Sequence, residues 1–351
     1  MHVHLRDGPM ADLVTPTIRA GGVDTVFVMP NLVPPITTVA HCLQYRDKLR
    51  ALAPDVTFLM SLYLHPSITP AVVAEAAAAG ITGIKSYPAG VTTNSASGVV
   101  SYEPFYPVFQ AMEQHDIVLN LHGELPPSAA KDGAPITVLN AEEAFLPTLL
   151  DLHRRFPRLR IILEHCTTAA ALDAVRGCGP TVAATITAHH LHLIVDDWAG
   201  DPHSFCKPVA KLPSDRVALL KAAVGGEGRF FFGSDSAPHP VLAKRGGEDG
   251  RAKTAAGCFT QPFGVQLVVD AIRRGLEQGI LGEGDVTKEA LVEFLSGNGR
   301  KFYRVERPQG ERTLRVERKG QTTPDFVRNG DGSVTVVPFW SGRDLPSLRW
   351  I

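Results

Sequence analysis

Six side chains able to bind a cation or move a proton stand at the ends of short apolar runs. His2 and His4 open the chain in Met1-His2-Val3-His4. Lys85 ends Ile81-Thr82-Gly83-Ile84-Lys85, and His122 ends Ile117-Val118-Leu119-Asn120-Leu121-His122. His165 ends Ile161-Ile162-Leu163-Glu164-His165, and Asp235 ends Phe230-Phe231-Phe232-Gly233-Ser234-Asp235. Imidazole nitrogen and carboxylate oxygen suit Zn2+ or a similar divalent ion. On a strand, His-x-His turns both rings to one face, because side chains repeat every two residues. The pair alone is weak: 13 His among 351 residues give roughly 0.5 such pairs by chance. The other strand ends strengthen it. A structural zinc site would be cysteine-rich and closed. This set has no Cys and lies where loops admit substrate, which favours catalysis.

Lys85 is the awkward member, since an ammonium repels cations and has no lone pair. Its bland reading is a surface or ion-paired lysine. Its chemical reading is a neutral amine that adds CO2 to form a carbamate, an anion able to bridge two cations. A second His pair, His190-x-His192 with His189 beside it, falls just past the seventh strand candidate. These three read as structural or surface residues.

Short apolar runs between helical stretches read as buried parallel strands. In a (β/α)8 barrel the C-terminal strand ends converge on one face, which holds the active site. Eight candidates occur, over 1–5, 25–29, 56–64, 81–85, 117–122, 161–165, 182–186 and 230–235. Helical spacing is found over 12–20, 38–52, 71–79, 104–114, 167–175, 263–278 and 288–295. Asn140 is expected to cap a helix through Arg155, with Glu142 and Glu143 at the positive end of its dipole; Ser214 is expected to cap one reaching Val224. An open doubly wound sheet would show a Gly-rich turn after its first strand, and Arg6-Asp7-Gly8-Pro9 is not one.

The expected fold class is therefore α/β, a (β/α)8 TIM-type barrel over 1–303 with a small β-containing appendage over 304–351. In that tail, 313–316 and 333–337 read as short strands with an Asn329-Gly330-Asp331-Gly332 turn between them. Two irregular stretches, 87–101 and 124–135, are long enough to be lids or binding loops.

Composition limits the partners. With 44% apolar and 20% charged residues and a net charge of −1, nothing favours nucleic acid or an anionic membrane surface. No window approaches a transmembrane helix, and the first residues lack the basic and apolar regions of a signal peptide, so none is expected. Five scattered cysteines without C-x-x-C read as reduced cytosolic thiols.

Six motifs in order resemble the dihydroorotases, in the compact single-function form of fungi and Gram-negative bacteria. They are Met1-His2-Val3-His4-Leu5-Arg6-Asp7-Gly8, Met29-Pro30-Asn31, Lys85-Ser86-Tyr87-Pro88-Ala89-Gly90-Val91-Thr92-Thr93-Asn94-Ser95, Leu121-His122-Gly123-Glu124, Glu164-His165-Cys166-Thr167 and Gly233-Ser234-Asp235-Ser236-Ala237-Pro238-His239. The resemblance spans residues 1 to about 303 and continues weakly into the tail. It implies an amidohydrolase barrel with two Zn2+. His2, His4 and Asp235 would hold the more buried zinc and His122 and His165 the other, with N6-carboxylated Lys85 bridging both. Arg6, Asn31 and His239 match the residues that hold the substrate carboxylate. Ala256, in Ala256-Gly257-Cys258-Phe259, matches a backbone contact to the substrate ring, and Thr92 and Thr93 match lid threonines.

The implied reaction interconverts dihydroorotate and N-carbamoyl-aspartate in pyrimidine synthesis, with Asp235 as base and then acid. The implied setting is a cytoplasmic homodimer taking a small-molecule substrate, without nucleic acid or membrane. Two departures stand out. Met1 sits where the family carries several more residues, so an incomplete or a trimmed start is expected. The polar run Lys244-Arg245-Gly246-Gly247-Glu248-Asp249-Gly250-Arg251, between His239 and Ala256, is expected to be mobile. Among rivals, a hydantoinase or allantoinase would share the ligand types, but many carry a β-sandwich built partly from residues before the first His pair. A mononuclear deaminase would leave Lys85 without a role. A silent scaffold would be marked by lost ligands, and none is lost.

Overall fold

Eight parallel backbone segments close into a barrel. The computed structural model describes residues 1–130, 135–306 and 313–351. Its barrel strands are β1 (Thr25–Phe27), β2 (Thr57–Leu59), β3 (Ser61–Tyr63), β4 (Gly83–Ser86), β5 (Val118–Leu121), β6 (Ile161–Leu163), β7 (Val182–Ile186) and β8 (Phe230–Phe232). β1 pairs with β2, and β3 to β8 form a six-stranded parallel sheet in chain order. β2 and β3 are two halves of the expected 56–64 strand, interrupted at Met60.

The expected first strand is a seam rather than a regular strand. Val3 alone forms parallel bridges, to Val28 and to Ser236. Val3 N donates to Phe27 O and Met29 N donates to Val3 O, both at 2.9 Å. On the other side His4 N donates to Ser236 O at 3.0 Å and Asp235 N to His2 O at 2.9 Å. The segment is short because His2 (φ 50°) and Arg6 (φ 61°) take left-handed backbone and leave the extended state.

The strands are near-continuous apolar runs because both their faces are buried. One face fills the barrel interior with Phe27, Tyr63, Val118, Ile162, Ala183 and Phe231. Tyr303, from the helix Asn298–Tyr303, joins this cluster and stacks on Phe27 at 5.0 Å. The other face packs under the helices, through residues such as Phe58, Ile84, Leu119 and Ile161.

Several helix starts differ from expectation. The first helix is Gly8–Val14, begun by the Asp7 carboxylate accepting from Gly8 N, with a 3-10 turn after it. The expected 167–175 helix is Ala169–Gly177, capped by Thr168. Ser214 lies inside Pro213–Val224, where the Asp215 carboxylate accepts from Leu212 N at 3.2 Å. Asn140 holds the N-cap position of the helix Ala141–Arg155 as expected, but its Oδ1 accepts from Thr137 N at 2.7 Å rather than from the helix.

The tail carries β9 (Leu314–Thr322), β10 (Val327–Arg328), β11 (Thr335–Val336) and β12 (Asp344–Trp350). The 329–332 turn does join a hairpin, but its arms are β10 and β11. β9 pairs instead with β12. β12 is fixed to the barrel: Trp350 lies 3.6 Å from the Arg19 guanidinium, and its indole N–H donates to Arg19 O at 2.8 Å. Val336, Phe339 and Leu345 enter the main core. Residues 307–312, and part of the expected 124–135 loop, lie outside the described residues.

Glu142 is at the helix N-terminus as expected, but it is only 1% exposed. Its carboxylate accepts from Thr167 N at 2.9 Å and from Thr168 Oγ1 at 2.6 Å. Burial pushes this carboxyl up to about 7, while Lys211 and these donors limit the rise. The folded chain thus holds the proton more tightly than the unfolded one, whose ordinary value is 4.5. This contribution to stability is complete below the unfolded value and is lost as pH rises through the folded one. Glu142→Gln should flatten the fall in unfolding free energy across that window by up to ~3 kcal/mol. Urea titrations at several pH values test this, and an unchanged pH slope would remove Glu142 from the account.

Candidate active site

The strands deliver the expected residues to one end of the barrel. Lys85 lies within β4, His122 follows β5, and His165 and Asp235 lie just beyond β6 and β8. His2, His4, His122, His165 and Asp235 line one small cavity, together with Arg6, Asn31, Thr92, Thr93 and Ala256. His239 reaches this rim indirectly. Its Nε2 lies 3.1 Å from an Arg6 guanidinium nitrogen and 3.0 Å from Ala256 O.

One carboxylate oxygen faces two imidazoles: Asp235 Oδ1 lies 3.0 Å from His2 Nε2 and 3.1 Å from His4 Nε2. Ring centroids of His122 and His165 are 4.5 Å apart, and those of His2 and His165 5.2 Å. Ligand atoms of His2, His165 and Asp235 all lie within 4.8 Å of one another. His165 Nδ1 and Lys85 Nζ are buried without a hydrogen-bond partner. Buried polar atoms left in that state cost free energy. Lone pairs from His2 and His165 and the Asp235 carboxylate are the donors a divalent cation takes, so these residues fit a metal.

The backbone is strained where the chemistry gathers. His2, His165 and Asp235 have φ of 50°, 44° and 40°. Non-glycine residues hold left-handed conformations only where the surroundings over-determine them. Here the barrel seam and the strand ends do so.

Two buried carboxylates orient the rings, and the strand-end pattern passes over both. Glu164 Oε2 lies 2.8 Å from His2 Nδ1 and accepts from Thr185 Oγ1 at 2.5 Å. Its Oε1 accepts from Asn120 Nδ2 at 2.7 Å. Glu124 Oε2 lies 2.7 Å from His122 Nε2. The signal was position: each Glu sits within two residues of a candidate His at the end of an apolar run.

The protonation states follow from burial and neighbours. Burial alone would raise the Glu164 carboxyl, but His2 and Lys85 hold it at about 2. Burial also opposes charge on His2, yet Glu164 and Asp235 outweigh it and raise that imidazole. Burial lowers Lys85 to about 8 and His4 to about 4. His165 falls well below its ordinary value through burial and then His122.

The loop over the cavity is latched. Asn31 Oδ1 lies 2.8 Å from His4 Nδ1, and Asn31 Nδ2 donates to Thr93 O at 3.1 Å. Asn94 Nδ2 donates back to Asn31 O, and Lys207 Nζ donates to Val91 O at 2.8 Å. Both ends of the Asn31 amide are therefore engaged by His4 and the lid. In the polar run after His239, Lys244 is not part of a mobile surface. It ends the short helix Val241–Lys244 and is buried, its ammonium donating to three backbone carbonyls.

Cation-binding side chains at the C-terminal rim of a parallel barrel mark the class of metal-dependent barrel enzymes. Known proteins narrow that class. The Amidohydrolase family matches residues 40–305. A probable dihydroorotase of Schizosaccharomyces pombe is 51% identical over 339 residues, which cover 97% of this chain and 93% of the relative. The crystal structure of Saccharomyces cerevisiae dihydroorotase in complex with 5-fluoroorotic acid matches with a TM-score of 0.90 and 47% identity, covering 100% of this chain and 96% of that one. A Campylobacter jejuni dihydroorotase matches with a TM-score of 0.83 and 32% identity, covering 100% and 94%. The chain belongs to the amidohydrolase family, in its dihydroorotase branch. With that membership comes a metal cofactor.

The Glu164 contact generates a test. Carboxylates that orient a metal-binding His typically contribute 10- to 100-fold in metal affinity or activity. Glu164→Gln should weaken metal retention by about that factor, read as metal content after dialysis against a chelator series. Retention equal to that of the wild type would show that His2 needs no orienting partner.

Proposed function

We propose that the chain is a metal-dependent dihydroorotase, interconverting (S)-dihydroorotate and N-carbamoyl-L-aspartate for pyrimidine synthesis. One observation carries this beyond a general cyclic amidase: Arg6, beside His239, stands on the rim of the cavity whose wall is the His and Asp cluster. A guanidinium there suits a ring substrate bearing a carboxylate. The yeast relative binds 5-fluoroorotic acid, a compound of that kind.

In this reading His2, His4 and Asp235 would hold one Zn2+, and His122 and His165 a second. When bound, such ions ionise water at neutral pH and polarise an amide carbonyl. Lys85, once carboxylated, would be a ligand common to both. It is fully buried, its amine has no hydrogen-bond partner, and burial eases loss of its proton. The neutral amine attacks CO2, a C–N bond forms, and one proton leaves to solvent. The product is a carbamate anion offering two oxygens.

The remaining residues position substrate and move the proton. Arg6 can grip the carboxylate through two parallel N–H bonds, fixing the ring against the cavity wall. His239 holds that guanidinium from behind, and Ala256 presents backbone to the ring. Asp235 takes a proton from the attacking water and returns it to the leaving ring nitrogen. In ring closure the same proton travels the other way. Thr92 and Thr93 close over the bound ring and exclude water. Residues 304–351 are read as an appendage on the 1–303 barrel rather than a second domain. A cytoplasmic homodimer is proposed on the resemblance alone; among the described residues no helix is long and apolar enough to cross a membrane.

Zinc-loaded protein supplied with bicarbonate should hydrolyse dihydroorotate, and Asp235→Asn should lose about 10²- to 10⁴-fold in kcat. Dihydropyrimidines and hydantoins lacking the carboxylate should be poor substrates for the wild type. Faster turnover of an uncharged ring would overturn the substrate assignment, and an active Asp235→Asn the proton route.

A further inference from the structure

Three residues unused by the proposed reaction form a second cluster of ligand atoms. His189, Cys206 and Cys258 are each at most 1% exposed. One ligand atom from each lies within 4.8 Å of the other two. None of the three lines the catalytic cavity. Both ring nitrogens of His189 are buried without a hydrogen-bond partner, although a buried imidazole is normally bonded at least once. Burial keeps this ring neutral, with its value lowered to about 4, so a lone pair is available. His190 is different: its nitrogens contact Thr187 Oγ1 at 2.9 Å and Pro208 O at 3.0 Å, and its Nε2 lies 3.5 Å from Cys206 Sγ, whose thiol also donates to Pro208 O at 3.2 Å.

The thiols are brought together by backbone. Gly257 N donates to Phe205 O at 3.0 Å. The Lys244 ammonium donates to Phe205 O and Ala255 O at 2.9 Å and to Gly257 O at 2.8 Å. It staples the segment bearing Cys206 to the segment bearing Cys258. The proximity of Cys258, and then burial, pushes the Cys206 thiol well up. Two ionised sulfurs here therefore need a cation, and a thiophilic metal is the cation that displaces thiol protons.

We propose that His189, Cys206 and Cys258 bind a thiophilic divalent cation such as Zn2+, separate from the ions of the catalytic cavity. Each cysteine releases one proton to solvent as its sulfur–metal bond forms. The ion would lock Cys206 to Cys258. Lys207, next in sequence, holds the lid through Val91 O, and Ala256 faces the cavity. The cluster thus sits behind both walls of the substrate site.

Metal-free protein titrated with Co2+ under reducing conditions tests this by absorption. Thiolate ligation gives a strong near-ultraviolet sulfur-to-cobalt band, which the nitrogen and oxygen ligands of the catalytic cavity cannot give. The band is expected in the wild type and absent from the Cys206→Ser/Cys258→Ser double variant, which should also retain one zinc fewer per chain. A wild-type protein without the band overturns the proposal, and that measurement needs no variant to fold. So does a band that persists in the double variant, or a lasting Cys206–Cys258 disulfide seen as a mass two hydrogens lighter. These readouts stand whether or not the chain turns over dihydroorotate, so the two proposals fail separately.

Discussion

One buried carboxylate ties the barrel seam to the catalytic cluster. Glu164 meets His2 on the seam, Thr185 on β7 and the Asn120 amide on β5. Asn120 in turn donates to the Tyr303 hydroxyl. A charge taken out of water is costly unless it is paired and fully hydrogen-bonded, and Glu164 meets both conditions. Because the contact uses His2 Nδ1, it fixes a proton on that nitrogen and turns Nε2 toward Asp235. Closing the barrel and presenting a ligand are therefore one event. An irregular N-terminal segment can serve as the first strand because its register is set by this side-chain contact as well as by backbone bonds.

The cover of the site is polar and locally coupled. Asn31 joins His4 to the lid at Thr93, and Lys207 holds the lid at Val91. With the lid in this position the cavity is only ≈ 30 Å³, and a cleft of ≈ 710 Å³ lies beside it. Lys207, Arg245 and Lys253 line that cleft together with the lid residues 90–93. Cationic walls of this kind draw anions toward a closed site. In the proposed function, substrate entry would break the Asn31 and Lys207 contacts, which would link lid opening to the placement of His4 through one amide.

Much of this could be read from the chain because strand ends are local facts. An apolar run that stops at His, Lys or Asp identifies both a strand and the residue its end presents, and barrel closure then brings those ends together. Partners were harder to read. Glu164 and Glu124 look like any carboxylates until the strands are paired, and only then do they face His2 and His122. His189 read as structural or surface, yet it is buried beside two thiols that come from distant segments. In the tail the turn residues located the hairpin, but β9 took β12 as partner because Trp350 and Arg19 fix β12 to the barrel. Turn chemistry is local, whereas that anchor joins the two ends of the chain.

Lys85 separates this centre from a single-metal one. An ammonium at full burial without a hydrogen-bond partner is out of place, and in the proposed function a carbamate in its position would complete a two-cation site. The direct test is ¹³C NMR of metal-loaded protein prepared with ¹³C-bicarbonate. A carbamate resonance should appear in the wild type, vanish in Lys85→Arg and fade when metal is removed. A metal-replete, active wild type with no carbamate signal would contradict the bridge and leave Lys85 as a buried cation beside the site.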